Sequence, residues 1–436
     1  MLRIIRECRF VPVIGLVLCM GALSYNNAAQ GADWPQWRGP NRNGVCSETG
    51  LLKSWPEDGP ELLWETKGLG PGYSSMAIVD GRLYTMGDIS LDTEQTQCVL
   101  AYDLVTHKRL WAAKVGPVHK DGGPRCTPTV DNGSVYAIGT SGDLVCVDAK
   151  TGNVRWSRNF EKDLGGGSKP GWRFSESPLI DGNKLLCTPG GRDAVMAALD
   201  KKTGDLIWKC SMPDIGRKGK DEAGYSSIVI TEAGGVRQYV QLTNKGLIGV
   251  AAKDGRFLWG YNKIANNVAN IPTPIVYGNF IFCSTAYNTG SALLELSAVG
   301  DSVEANEIYF LDAKTLQNHH GGLVRIGDYI YGGHDHNKGK PICVEAKTGK
   351  VMWQADQPGK GSAAVLYADG NLYFRYEDNT MALIEADPQN YNLISKFNLP
   401  KRPGMSGPGW SHLVIVDGRL YARHSDVLFV YDIKAK

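Results

Sequence analysis

The chain has 436 residues and a formal net charge of +2, with Lys, Arg, Asp and Glu interspersed along it. A polyanion binder would show a basic stripe, so no nucleic-acid partner is expected. The 53 glycines and 42% hydrophobic residues suit many short strands joined by tight turns.

The opening residues read as a targeting segment. Arg3, Arg6 and Arg9 precede an apolar run from Phe10 to Leu23, and small residues follow at Ser24 and from Ala28 to Ala32. This three-part pattern predicts a signal peptide over 1–30, cleaved within 24–32, and an exported protein, periplasmic or extracellular. The run is short for a membrane span, and no later stretch looks transmembrane. Lipid anchoring at Cys19 is disfavoured, because Leu18 stands where a small residue is normally needed. Residues 31–60 then form an arm rich in Trp34, Pro35, Trp37, Pro40 and Pro56, expected to lie ordered and extended on the main fold.

From residue 61 the chain repeats. Residues 147–156 read as a strand, a turn and a second strand closed by Trp156. Asp148 and Thr151 can bond the turn backbone, and Gly152 supplies positive φ. Variants close on Trp64, Trp111, Trp156, Trp208, Trp259 and Trp353, at spacings of 47, 45, 52, 51 and then 94 residues. The last spacing is twice 47, so one unit lies inside it without its tryptophan. That unit is marked by 308–315, with His319 near the expected Trp position. Two further units fit after Trp353. Upstream of the turn, Asp-Gly pairs such as Asp80-Gly81, Asp181-Gly182 and Asp417-Gly418 signal hairpins.

Four strands at this period mean a β-propeller blade. The predicted fold is all-β, an eight-bladed β-propeller of four-stranded blades over 61–436. The last unit ends after its third strand, and residues 61–65 can supply the fourth and close the ring, removing two open edges. The alternative is seven blades, with 271–320 as an insertion. A monomer is expected. Of ten cysteines, Cys8 and Cys19 fall in the leader. Cys146 and Cys343, like Cys187 and Cys283, occupy equivalent strand positions in different blades, which favours small buried hydrophobes over disulfides.

The A-x-D-x-x-T-G-x-x-x-W pattern, nearly matched by residues 147–156, resembles the signature of the pyrroloquinoline-quinone (PQQ) repeat propellers. The resemblance covers 61–436. The family includes quinone-dependent alcohol dehydrogenases and BamB, a non-catalytic scaffold of outer-membrane protein assembly. The opening 33–44 is similar to the start of many secreted bacterial PQQ-like propellers. For a dehydrogenase, the resemblance implies PQQ with calcium, a catalytic Asp and usually an adjacent Cys-Cys pair. This sequence has no Cys-Cys, and Glu176, Asn270 and Asp335 are the conceivable calcium ligands. The reading favoured is therefore a non-catalytic platform for a protein, polysaccharide or small ligand, with no cofactor expected. A PQQ-dependent alcohol dehydrogenase is the alternative.

Alternating strand direction puts the Asp-Gly and Thr-Gly turns on one face of the disc. The connections entering each blade and the loops between second and third strands fall on the other, and irregular loops on a rigid scaffold carry function. On that face lie the candidate ligand-binding residues Arg125, Trp172, Arg173, Glu176, Asn270, His320, Trp410 and His412. His334 and His336, two apart on one loop, are the candidate metal ligands, with His319, His320 or His412 completing the set; imidazole and carboxylate suit zinc or copper. The segment from Tyr287 to Asn306 stands out as a specialised excursion. The glycine run 165–171 lacks the spacing of a phosphate loop.

Overall fold

A computed structural model describes residues 33–120, 122–300 and 302–436. The predicted leader lies outside them. Among the described residues no helix is long and apolar enough to cross a membrane.

The strands form eight separate sheets, each built on four consecutive or ring-closing strands, one of them with a fifth strand added. Blades 1 to 7 take residues 77–117, 129–159, 179–210, 229–261, 275–312, 323–354 and 363–398. Blade 8 combines Val414–Val416, Arg419–His424 and Val427–Asp432 with Glu61–Lys67 from near the other end of the chain. That strand runs antiparallel to Val427–Asp432, from Glu61 opposite Asp432 to Lys67 opposite Val427. Residues 271–320 thus hold a blade, and the ring has eight.

The turns behave as their residues require. Asp80 and Gly81 both sit at positive φ, 51° and 69°, as do Asp417 and Gly418, 57° and 66°. This is the primed turn that matches the twist of paired strands. Asp148 Oδ1 accepts from the backbone N–H groups of Lys150 (3.0 Å) and Thr151 (2.8 Å) and from the Thr151 hydroxyl.

Tryptophans clamp several blades to the next. Trp111 donates its indole N–H to Ala149 O (3.2 Å), Trp156 to Lys201 O (3.1 Å) and Trp353 to Asp387 O (2.8 Å). A Cβ at Gly152 would lie 2.7 Å from the Trp111 ring, and one at Gly204 2.7 Å from Trp156. Positive φ and the flat ring both demand glycine there. Gly204→Val should therefore cost about 3 kcal/mol in urea unfolding, through backbone strain and displacement of Trp156. A loss within 0.5 kcal/mol, roughly that of an indifferent surface change, would contradict this clamp.

In every blade the clamping residue sits beside a β-bulge of the outermost strand: Trp111 opposite Ala101, Trp156 opposite Cys146, Trp353 opposite Cys343. In blade 5 that register position belongs to Tyr309, opposite Leu293. Its hydroxyl donates to Ala346 O (2.8 Å), and its ring covers Gly349. The sequence expectation of His319 at this place is corrected: 308–312 belongs to the fourth strand, not the third. The apparent excursion from Tyr287 to Asn306 is mostly the lengthened outer pair Gly290–Val299 and Ser302–Asp312. In blade 7 the position is Ser395, opposite Leu383. Ser395 Oγ accepts the backbone N–H of Trp55, whose buried ring packs on Phe397 and Tyr373. The arm thus lends blade 7 the tryptophan it lacks.

The arm dips into the ring rather than merely lying over it: Asp33 at its start and Glu48 further on both meet Asp-Gly turns of the regular face, at Asp80 and at Asp417-Gly418. Trp34 exchanges two backbone hydrogen bonds with Ile78, and Pro35 O accepts from Val130 N. The Arg42 guanidinium reaches Ser177 O (2.7 Å) and Pro178 O (3.0 Å), and Trp37 reaches Thr273 Oγ1 (3.0 Å). Val45–Cys46 then pairs in parallel with Tyr367–Ala368 on the free edge of blade 7's innermost strand. These partners lie on or beside innermost strands, so the arm forms a septum across the central channel. The eight described cysteines are all buried and unpaired.

Candidate functional site

The blade entries and the septum together enclose a cavity of about 240 Å³. Its walls come from the connections that enter the blades: Tyr73, Arg125, Trp172, Tyr225, His320 and Trp410 among others. Trp37 and Arg38 of the arm close its floor. A second cavity, lined by Arg38, Arg42 and innermost-strand residues such as Ile180 and Ile230, lies against other arm residues. The funnel is therefore blind: what enters from the irregular face leaves by the same mouth.

The aromatic lining is continuous. Tyr73 meets Trp410 at 4.7 Å between ring centres, Trp410 meets His320 at 4.7 Å, and Trp37 meets His412 at 4.5 Å. The Arg125 guanidinium stands 5.5 Å over the Tyr73 ring. Trp172, 44% exposed, stands at the rim with its backbone N–H on the Tyr225 hydroxyl. Arg38 Nη2 donates to Asn43 O (3.0 Å) and Leu323 O, while its Nη1 is buried with no hydrogen-bond partner.

Of the predicted ligand-binding residues, the funnel brings together Arg125, Trp172, His320, Trp410 and His412. Three others serve the walls from behind. Arg173 donates to the His119 ring (3.1 Å). Asn270 is fully buried and braces its own loop through Asn266 and Asn244. Glu176 accepts from the Thr188 N–H (2.7 Å), the Thr188 hydroxyl (2.8 Å) and Gln241. The pair His334 and His336 divides: His334 Nδ1 accepts the Gln317 N–H (3.2 Å), whereas His336 lies 4.4 Å from the rings of both Tyr287 and His319. Trp37 and Arg38 escaped the sequence reading, because they precede the repeats and no period marks them; the Trp34–Arg38 cluster of aromatic and basic residues was the only signal.

Electrostatics set apart two carboxylates. Burial raises the Glu176 pKa to about 8, against the opposing pull of the Thr188 hydrogen bonds and Arg42. Glu377 goes the other way: burial alone would raise it, but His320 and the Ser362 N–H hold it down at about 2. A carboxyl raised in the fold stabilises it most below its ordinary pKa and loses that contribution as pH rises through the folded value. Glu176 should thus make the protein lose stability between about pH 5 and 8. Glu176→Gln, keeping shape and one acceptor, should flatten that part of the melting-temperature profile; an unchanged slope would show that Glu176 is ionised throughout.

Calcium-held PQQ does not fit the residues the sequence offered for it. Glu176 and Asn270 are engaged in the walls, and Asp335 pairs with Lys338 (3.0 Å). Among the described residues neither Glu176 nor Asp335 belongs to a cluster of three or more carboxylate, imidazole or thiol donors.

A family model described as outer membrane protein assembly factor BamB matches residues 95–354 and 336–390. In sequence, the chain is 24% identical over 319 residues to BamB of Alteromonas naphthalenivorans, covering 67% of this chain and 69% of that protein. It is 29% identical over 160 residues to the quinoprotein ethanol dehydrogenase of Pseudomonas aeruginosa, covering 33% of this chain and 24% of the dehydrogenase. The chain thus spans less than a quarter of that enzyme's length. Among solved structures, BamB from Moraxella catarrhalis matches with a TM-score of 0.59 at 16% identity, over 86% of this chain and 99% of that one. Quinohemoprotein alcohol dehydrogenase from Comamonas testosteroni gives 0.59 at 13% identity, over 94% and 82%. At these identities the structural likeness is one of fold.

Proposed function

The chain belongs to the PQQ-repeat β-propeller family whose model is described as outer membrane protein assembly factor BamB, and from that footing we propose that it is an exported, non-catalytic propeller that binds a protein partner through its irregular face. The observation that carries the reading is the blind aromatic funnel floored by the arm. Aromatic walls supply contact area at low entropic cost, and hot spots concentrate in such concave, dry sites. Because the septum blocks the channel, the partner inserts a loop or a chain end and does not thread through.

Export rests on the basic, apolar and small-residue order of residues 1–32. The relatives named as outer membrane assembly factors support a protein partner over a small molecule.

A photo-crosslinking amino acid placed at Trp172, on the funnel rim, should yield a discrete adduct in envelope extract of the source cells. The same group at Val105, 85% exposed in a turn of the regular face, should yield none. Equal adducts from both positions, or an adduct from Val105 alone, would overturn the reading. Adducts digested by glycosidases and not by proteases would replace the protein partner with a polysaccharide.

A further inference from the structure

One side of the funnel carries chemistry that a binding surface does not require. His319, His320 and Glu377 each present a donor atom, and the three atoms lie within 4.8 Å of one another. We propose that these residues form a binding site for a single divalent transition-metal ion, with zinc the ion best matched to two imidazoles and a carboxylate.

Three features support it beyond proximity. First, His320 Nε2 is buried and makes no well-formed hydrogen bond; Glu377 Oε1 stands 3.4 Å from it. That is long for a charge-assisted bond. A metal between them would satisfy both. Second, the supporting shell is built. The Ser362 N–H donates to Glu377 Oε1 (3.0 Å), and the His319 ring is held between the Ser362 hydroxyl (2.9 Å) and the Tyr287 hydroxyl (3.0 Å). Partners of this kind orient metal ligands and fix their tautomers. Binding would release one of the two His319 bonds. Third, the neighbouring loops are held in uncommon backbone conformations. Tyr287 and Asn288 adopt φ of 57° and 59°, and Asp335 and Asn337 adopt 71° and 58°. A tyrosine at positive φ is unusual, and here it brings the hydroxyl onto His319. The Asp335–Asn337 turn brings in His336, whose Nδ1 is buried and unpartnered beside the cluster.

Three protein ligands, two of them lining the funnel, leave a coordination position open to the occupant or to water. The site differs from the pair His334 and His336 expected from spacing: sequence neighbours two apart diverge, while His319, His320 and the distant Glu377 converge. The inference does not depend on what the funnel binds.

The full mature chain, stripped with EDTA and dialysed, should take up one zinc ion per molecule on titration with zinc chloride, read by atomic emission after gel filtration. Cobalt(II) should compete and show visible d–d absorption of a low-symmetry site. His320→Ala and Glu377→Gln should each weaken zinc binding by at least about 10-fold while keeping wild-type circular dichroism. His107→Ala, on the regular face, should bind as wild type. Zinc held equally by all four proteins, or by none, would overturn the site. The photo-crosslinking from Trp172 is run on the stripped protein as well, so loss of the metal site and loss of the partner reading are separable.

Discussion

Arg423→Ala is expected to destabilise the protein by about 4 kcal/mol or more, more than any single clamp glycine, because it leaves several buried acceptors without donors. Arg423 is fully buried in blade 8, the blade assembled from both ends of the propeller chain. Its guanidinium crosses to blade 1. Nη2 donates to Gly70 O (2.9 Å), and Nη1 to Thr85 Oγ1 (2.7 Å), Ser74 O (3.3 Å) and Met86 O, while Nε donates to Ser425 O (2.8 Å). Burial lowers its pKa only to about 10, so it stays charged at neutral pH. Each orphaned carbonyl costs about 1–3 kcal/mol, and the values are less than additive within one network. The residue therefore acts as a rivet at the seam where the ring closes, beside the strand pairing of Glu61–Lys67. Urea unfolding reads the loss directly. A destabilisation below about 1 kcal/mol, typical of a random substitution, would mean that strand pairing alone holds the seam.

The second large effect is acid lability of the metal-stripped protein. His412 is buried and faces Arg38, His320 and Arg375; burial first, then Arg38, lowers its pKa to about 3. His424, also buried, is lowered to about 4 by burial and by Arg375. A histidine lowered in the fold is neutral in the native state while the unfolded chain takes up a proton, so stability is lost as pH falls through the ordinary value near 6.5. At pH 5 each of the two contributes a loss of about 2 kcal/mol, or about 4 kcal/mol together. Glu176 slopes oppositely, and so does Asp88, which burial raises to about 6, so the two carboxyls offset much of that loss. The stability maximum should accordingly fall between these arms, near neutral pH. His412→Asn with His424→Asn should remove the share of these two histidines from the pH dependence of urea midpoints between pH 6.5 and 5, leaving the share of His319, which burial also lowers; a dependence unchanged in that double variant would assign acid lability to other groups.

Much of the scaffold was legible in the sequence because it repeats. The Asp-Gly turns, the Thr-Gly turns and six spaced tryptophans each answer one local physical need, and together they gave eight blades, four strands per blade and the closing strand at 61–65. Legibility failed where one residue does the work of another. Tyr309 clamps in place of tryptophan, and Trp55 from the arm compensates for Ser395, so counting tryptophans misplaced the register of blade 5. The site was half legible. Blade order put Arg125, Trp172, His320, Trp410 and His412 on one face, and the structure unites them. Glu176 and Asn270 share that face yet point their polar atoms into the walls, a distinction that period cannot make. Trp37 and Arg38 reach the floor through a segment outside the repeat, and Glu377 joins two histidines across more than fifty residues. Such convergence is a property of closure, not of spacing.

The central claim is that the blind funnel on the irregular face receives the partner. Hydrogen–deuterium exchange on the complex recovered through the Trp172 adduct tests it most directly. The account predicts slowed exchange in the blade-entry loops around Tyr73, Arg125, Trp172, His320 and Trp410 and in the arm around Trp37, with the turns around Val105 and Gly152 unchanged. Slowed exchange confined to those regular-face turns, with the funnel loops exchanging as in the free protein, would contradict it.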